Sequence, residues 1–163
     1  MFLDGVFVPD DCVVGAVHGG WSAARTTLAN ERVSMGSGSS FGPGLEAVLA
    51  MPDAGQHRPK VGRLVAEAQA IAVMGLRSTL RALAGAEPGP ESSVRKLLGV
   101  EHEQRVQEVG LMLLGPQAAA TDGAAEALVA GFLGNRALSI AGGTSDVQRN
   151  IIAERLLGLP RDP

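Results

Sequence analysis

The residues best suited to chemistry in this chain lie together near its end, in Ile140-Ala141-Gly142-Gly143-Thr144-Ser145-Asp146-Val147-Gln148-Arg149-Asn150-Ile151-Ile152. Two successive glycines let a backbone turn tightly and approach a ligand closely. A helix opening directly after them, capped by Thr144 or Ser145, has free N–H groups in its first turn. Such a terminus attracts anions or polarised oxygens. A capped turn between two packed helices uses the same residues, and spacing alone leaves both readings open. Elsewhere the chemistry thins out. His18, His57 and His102 are far apart and no cysteine pair joins them, so no metal site is expected. No Ser-His-Asp order and no G-x-S-x-G elbow occurs. The glycine-rich stretch from Gly36 to Gly44 lacks the lysine of a phosphate-binding loop and reads as a flexible or kinked helix.

The elements that must hold this loop are mostly helical. Phe2 to Val8 alternates apolar residues around Asp4-Gly5 and stops at Pro9-Asp10-Asp11, the pattern of a short strand and a turn. No second segment of that kind follows to pair with it. A helical pattern runs from Trp21 to about Ala50, weakened by glycines at 36, 38, 42 and 44. Pro52 to Pro59 reads as a loop. Val61, Leu64, Val65, Ala68, Ile71, Ala72, Gly75, Leu76 and Leu83 then keep the spacing of one helical face over about 25 residues. A third helix starts at Ser92-Ser93, as caps, and stops at Gly115-Pro116. Its middle, Glu101 to Arg105, is polar and is expected to face water. A fourth runs from about Asp122 to Ser139, and a fifth from Thr144 or Ser145 to Gly158-Leu159-Pro160. Trp21, the one tryptophan, reads as a packing anchor at the domain boundary, and Met35, Met51, Met74 and Met112 as core filler.

Composition sets the limits around these elements. At 163 residues, with 45% hydrophobic and 19% charged residues, the chain suits one soluble packed core. Aromatics make up only 3% and Tyr is absent, which favours close-packed helices over a sandwich or barrel. The net charge of -3, with Lys and Arg scattered singly, gives no basic stripe for nucleic acid. The longest apolar runs fall far short of the roughly 20 residues that span a bilayer. A lone Cys12 and an acidic N-terminal stretch without a basic region make cytoplasmic the default location.

The stretch from Ile140 to Asp162, IAGGTSDVQRNIIAERLLGLPRD, closely resembles the terminal motif of acyl-CoA dehydrogenases. Val6-Phe7-Val8-Pro9 through Gly19-Gly20-Trp21, Leu28 to Val33 (LANERV) and Pro90 to Leu97 (PESSVRKL) resemble further segments of that family in the same order. The resemblance covers essentially the whole chain. It implies an all-α fold, the up-and-down four-helix bundle of the family's C-terminal domain over 19–163. Residues 1–18 would then be the end of a preceding β domain and a linker, with Phe2 to Val8 as a strand remnant. It also implies FAD as cofactor, an acyl-CoA substrate, an electron-transfer acceptor, and assembly as a homo- or hetero-oligomer, dimer or tetramer. More than half of a complete dehydrogenase would lie outside this chain.

The family's chemistry removes a proton from the α-carbon of an acyl-CoA while hydride leaves the β-carbon. Many members carry the base as a Glu directly before the Gly-Thr of the terminal motif. Gly142 stands there in this chain and has no side chain, so only its backbone N–H is left to meet the thioester oxygen. In a second group the base lies on the domain's first helix, and the matching residue is Glu31 in Asn30-Glu31-Arg32. The structural alternative for Glu31 is a surface or interface ion pair. The resemblance assigns cofactor contacts to Gly143, Thr144 and Asp146, the last standing where Gln or Glu is frequent. The chain departs from the family in lacking an Arg-x-x-Phe-Gly segment between Phe41 and Pro59, and in having Gly115-Pro116-Gln117-Ala118 in place of a Gly-Gly-Asn-Gly loop. Two other readings of the same residues are a non-catalytic subunit of a hetero-oligomeric dehydrogenase and a helical interaction module without flavin.

Overall fold

The computed structural model describes residues 2–34, 42–87, 89–120 and 122–161, apart from the side chains of residues 29–34, 53 and 124. Its α-helices are α1 (Gly20–Ser34), α2 (Gly42–Leu49), α3 (Arg58–Leu83), α4 (Glu91–Leu114), α5 (Glu126–Gly134) and α6 (Ser145–Ile151). Short 3-10 turns at Pro52–His57, Gly115–Ala119, Gly123–Ala125 and Asn135–Ser139 connect them, and a π turn at Ile152–Leu156 extends α6. Among the described residues the chain is all-helical, as the periodicity indicates.

Several boundaries differ from the sequence reading for identifiable reasons. Phe2–Val8 forms no strand and is exposed throughout. A strand is defined by its ladder of inter-strand bonds, and no described segment offers a partner. The single helix expected from Trp21 to Ala50 is two, α1 and α2, and residues 35–41 between them lie outside the described residues. The expected loop Pro52–Pro59 winds into helical turns instead. Pro52 and Pro59 each occupy a first-turn position, where a missing N–H costs nothing. α4 begins at Glu91, before the expected serine caps, with Pro90 at the cap position. Ser92 Oγ turns back and donates to Gly89 O at 2.8 Å.

The core lies where α2, α3 and α4 meet: Leu45, Val48, Val61, Leu64, Ala68, Val106 and Leu113, with Met51, Ala54, Val65 and Val109 packed against it. The first half of the α3 face is therefore buried as its spacing indicates. The second half is not, because Leu76 and Leu83 of the same face are exposed, as are Val73 and Leu80. Trp21 is 74% exposed within this chain.

α4 packs against α1, α2, α3, α5 and α6. Surrounded in this way, it buries Ser93, Arg95, Lys96, His102 and Gln107 alongside Val100, Val106 and Leu113, and leaves Leu98, Glu108 and Met112 exposed on the opposite side. Gly110 lets two neighbours close in: a Cβ there would stand 2.8 Å from Leu128 Cδ2 of α5 and 3.4 Å from Val48 Cγ2 of α2. No helix among the described residues is long and apolar enough to cross a membrane.

Candidate functional site

The Gly142–Asp146 loop joins the 3-10 turn after α5 to α6. Gly142 and Gly143 have φ of +64° and +99°, conformations in which an L side chain is strained. At Gly143 space is closed as well, since a Cβ would meet Gln148 Nε2 at 2.8 Å. Gly143 N–H donates back to Ile140 O at 3.2 Å and closes the turn. Thr144 then takes extended backbone angles, and its Oγ accepts from Val147 N–H at 3.2 Å, the N-cap that the sequence indicates.

Two buried side chains hold the turn from inside. Lys96 of α4, 5% exposed, donates from Nζ to Gly143 O at 2.8 Å. Gln148 of α6, fully buried, donates from Nε2 to Gly142 O at 3.0 Å and to Gly143 O at 3.2 Å. Neither residue stands out as a site residue in the sequence. The usable signal was a lysine in the middle of an otherwise buried helical segment, since Lys is rarely buried unless its charge is met.

The site residues expected from the sequence fall into three positions. Gly142 is buried, and its carbonyl is tied inward to Gln148. Thr144 and Asp146 are exposed on the outer side of the loop. Asp146 Oδ1 accepts from Arg149 Nη1 at 3.0 Å, a surface ion pair that leaves its carboxylate largely open to solvent. Glu31 lies on α1, which packs against α4, and its side chain is outside the described residues.

The polar middle of α4 is half open to water, with His102 buried and its neighbours partly exposed. Arg105 Nε donates to Glu67 Oε2 of α3 at 3.1 Å, and His102 Nδ1 stands 3.3 Å from the same oxygen. Arg105 also pairs with Glu101 at 3.7 Å, and Glu101 meets Arg149 of α6 at 3.3 Å. Through Arg149 this chain of ion pairs reaches Asp146. Helical periodicity could not reveal it, because its partners come from three different helices.

A family model described as "Acyl-CoA dehydrogenase, C-terminal domain" matches residues 18–157. The chain belongs to that family. The acyl-CoA dehydrogenase FadE34 of Mycobacterium tuberculosis is 46% identical over 166 residues, covering 99% of this chain and 23% of the relative. The acyl-CoA dehydrogenase IpdE1 of the same organism is 32% identical, covering 99% of this chain and 44% of the relative. IpdE1 of Mycolicibacterium smegmatis is 28% identical, covering 99% and 42%. The chain thus spans less than half the length of these curated relatives.

Proposed function

We propose that this chain is the C-terminal part of an FAD-dependent acyl-CoA dehydrogenase, which desaturates an acyl-CoA thioester between its α- and β-carbons. The observation that carries the reading is the Gly142–Gly143 turn. Both glycines adopt backbone angles that favour glycine, and the turn is tied down from inside, with Thr144 and Asp146 on its open side. A loop without side chains at 142 and 143 suits close approach of a flat ring or a thioester to the backbone. Gly143, Thr144 and Asp146 would hold the flavin, and the N–H of Gly142 would meet the thioester oxygen. That N–H takes no acceptor among the described residues. Bound FAD supplies the hydride acceptor for such a reaction.

The base is Glu31. Its carboxylate takes the α-proton: the α C–H bond breaks, an O–H bond forms on Glu31, and the released electron pair becomes the new C=C bond as hydride leaves the β-carbon. A poorly hydrated carboxylate is a stronger base, because desolvation disfavours its charged form. The N–H donor at Gly142 stabilises the enolate character that grows on the thioester oxygen. In this reading the helices of residues 19–163 form the family's up-and-down bundle, and residues 1–18 are the end of the β domain and the linker from it. The complete protein works as a dimer or tetramer and passes its electrons to a separate acceptor.

The test uses the complete flavin-loaded protein. Glu31→Gln keeps size and hydrogen-bonding capacity but removes the proton acceptor. Flavin content is expected to stay at the wild-type level while the rate at which acyl-CoA bleaches the flavin falls by about 10²–10⁴-fold. Adding Gly142→Glu in that background should restore only weak activity, because a side chain at φ +64° is strained. Bleaching of Glu31→Gln at the wild-type rate would remove Glu31 from the mechanism. A wild-type assembly that binds flavin and is bleached by no acyl-CoA would establish the non-catalytic subunit instead.

A further inference from the structure

We propose that Lys96 and Gln148 are positioning residues for the Gly142–Asp146 loop, setting the direction and strength of the N–H donors on its open side. This rests on the reading of that loop as the thioester and flavin contact. Lys96, 5% exposed, brings an ammonium to the inner side of the turn and donates from Nζ to Gly143 O at 2.8 Å. Gln148 Nε2 adds a second donor to the same oxygen and a bond to Gly142 O, so both carbonyls of the double-glycine turn point inward.

The consequence follows from the peptide group itself. No peptide bond among the described residues is cis, so the N–H of Thr144 points opposite to the Gly143 carbonyl. It therefore points away from Lys96 and Gln148, on a residue that is exposed and has no acceptor for that N–H among the described residues. A carbonyl that accepts a charge-assisted bond polarises its whole amide, which makes the N–H across it a better donor. Lys96 thus acts on a bound ligand through the Gly143–Thr144 peptide without touching the ligand. The Gly143 N–H bond to Ile140 O closes the turn, and the two donors add a hold on its carbonyls.

The experiment compares Lys96→Met, which keeps the apolar stem and removes the donor, with Lys96→Arg, which returns one. In flavin-free protein, amide hydrogen exchange across 142–147 is expected to speed up about ten- to a hundredfold in Lys96→Met, the loss of one hydrogen bond to a charged group. Exchange in α2, at the core, should not change, and Lys96→Arg should restore much of the protection. In the flavin-loaded complete protein kcat should fall by a similar factor while KM stays close to wild type, since a donor needed in the transition state is lost. If Lys96→Met does not fold, Gln148→Met removes the other donor to the same carbonyl and is read in the same way. Unchanged exchange at 142–147 in the folded variant overturns the proposal, and so does an equal rise in α2. The exchange readout decides the clamp even if the wild-type assembly proves non-catalytic, whereas normal turnover by Lys96→Met would overturn the clamp and leave the function standing.

Discussion

Thr144 stands where the turn becomes a helix, and its hydroxyl closes the first turn of α6 by accepting from Val147 N–H. Replacing it with Ala should cost about 1 kcal/mol. In a domain of this size that is a fall in Tm of roughly 2–4 °C by calorimetry. Ser keeps the acceptor and should keep most of the stability, so equal losses in Ala and Ser would show that the cap contributes nothing. This residue and the two glycines before it were legible in the sequence, because a cap and a positive φ restrict residue type at single positions. Lys96 and Gln148 were not. Their importance comes from being buried against one loop, and burial is set by where α4 and α6 lie relative to each other.

At the scale of elements, α3 was readable and α4 was not, for one physical reason. α3 has an apolar face toward α2 and α4, so its spacing announces it, at least as far as Ala68. α4 packs against five helices, and its buried side carries Ser92, Ser93, Arg95, Lys96, His102 and Gln107 among the apolar residues. A helix of that kind has no apolar stripe, and its Glu101–Arg105 segment therefore resembled a solvated face. Gly110 is where the packing is tightest. Gly110→Ala should gain about 1 kcal/mol of helix propensity and lose roughly 1–3 kcal/mol to the crowding of Leu128 and Val48. A net loss by urea denaturation is the expected outcome, and Leu128→Ala in the same background should recover part of it by making room. A Gly110→Ala protein more stable than wild type would show that α5 moves aside without cost.

For the whole molecule the outer surface is the informative part. Val73, Leu76, Leu80 and Leu83 recur along one side of α3 and are all exposed, Leu83 to 80%. Phe2, Phe7 and Trp21 are exposed as well. Apolar surface gathered in this way marks an interaction site more often than a solvated face. The chain in dilute solution is therefore expected to self-associate, with a sedimentation coefficient that rises with concentration. Leu76→Lys with Leu83→Lys should return it to the monomer with its helical circular dichroism unchanged. Association unaffected by that pair would place the contact elsewhere. What such a surface meets in the complete protein was not legible in the sequence, since periodicity shows that a residue is apolar and leaves open what covers it.

The central position of α4 also governs how the chain comes to be folded. Its neighbours α2 and α3 precede it and α5 and α6 follow it, so no contiguous half of the chain contains both the helix and a full set of contacts for it. The core of α2, α3 and α4 lies within one contiguous stretch, and α5 and α6 add their contacts to α4 afterwards along the chain. The loop that α4 holds through Lys96 is tied down only once α6 has docked on that helix.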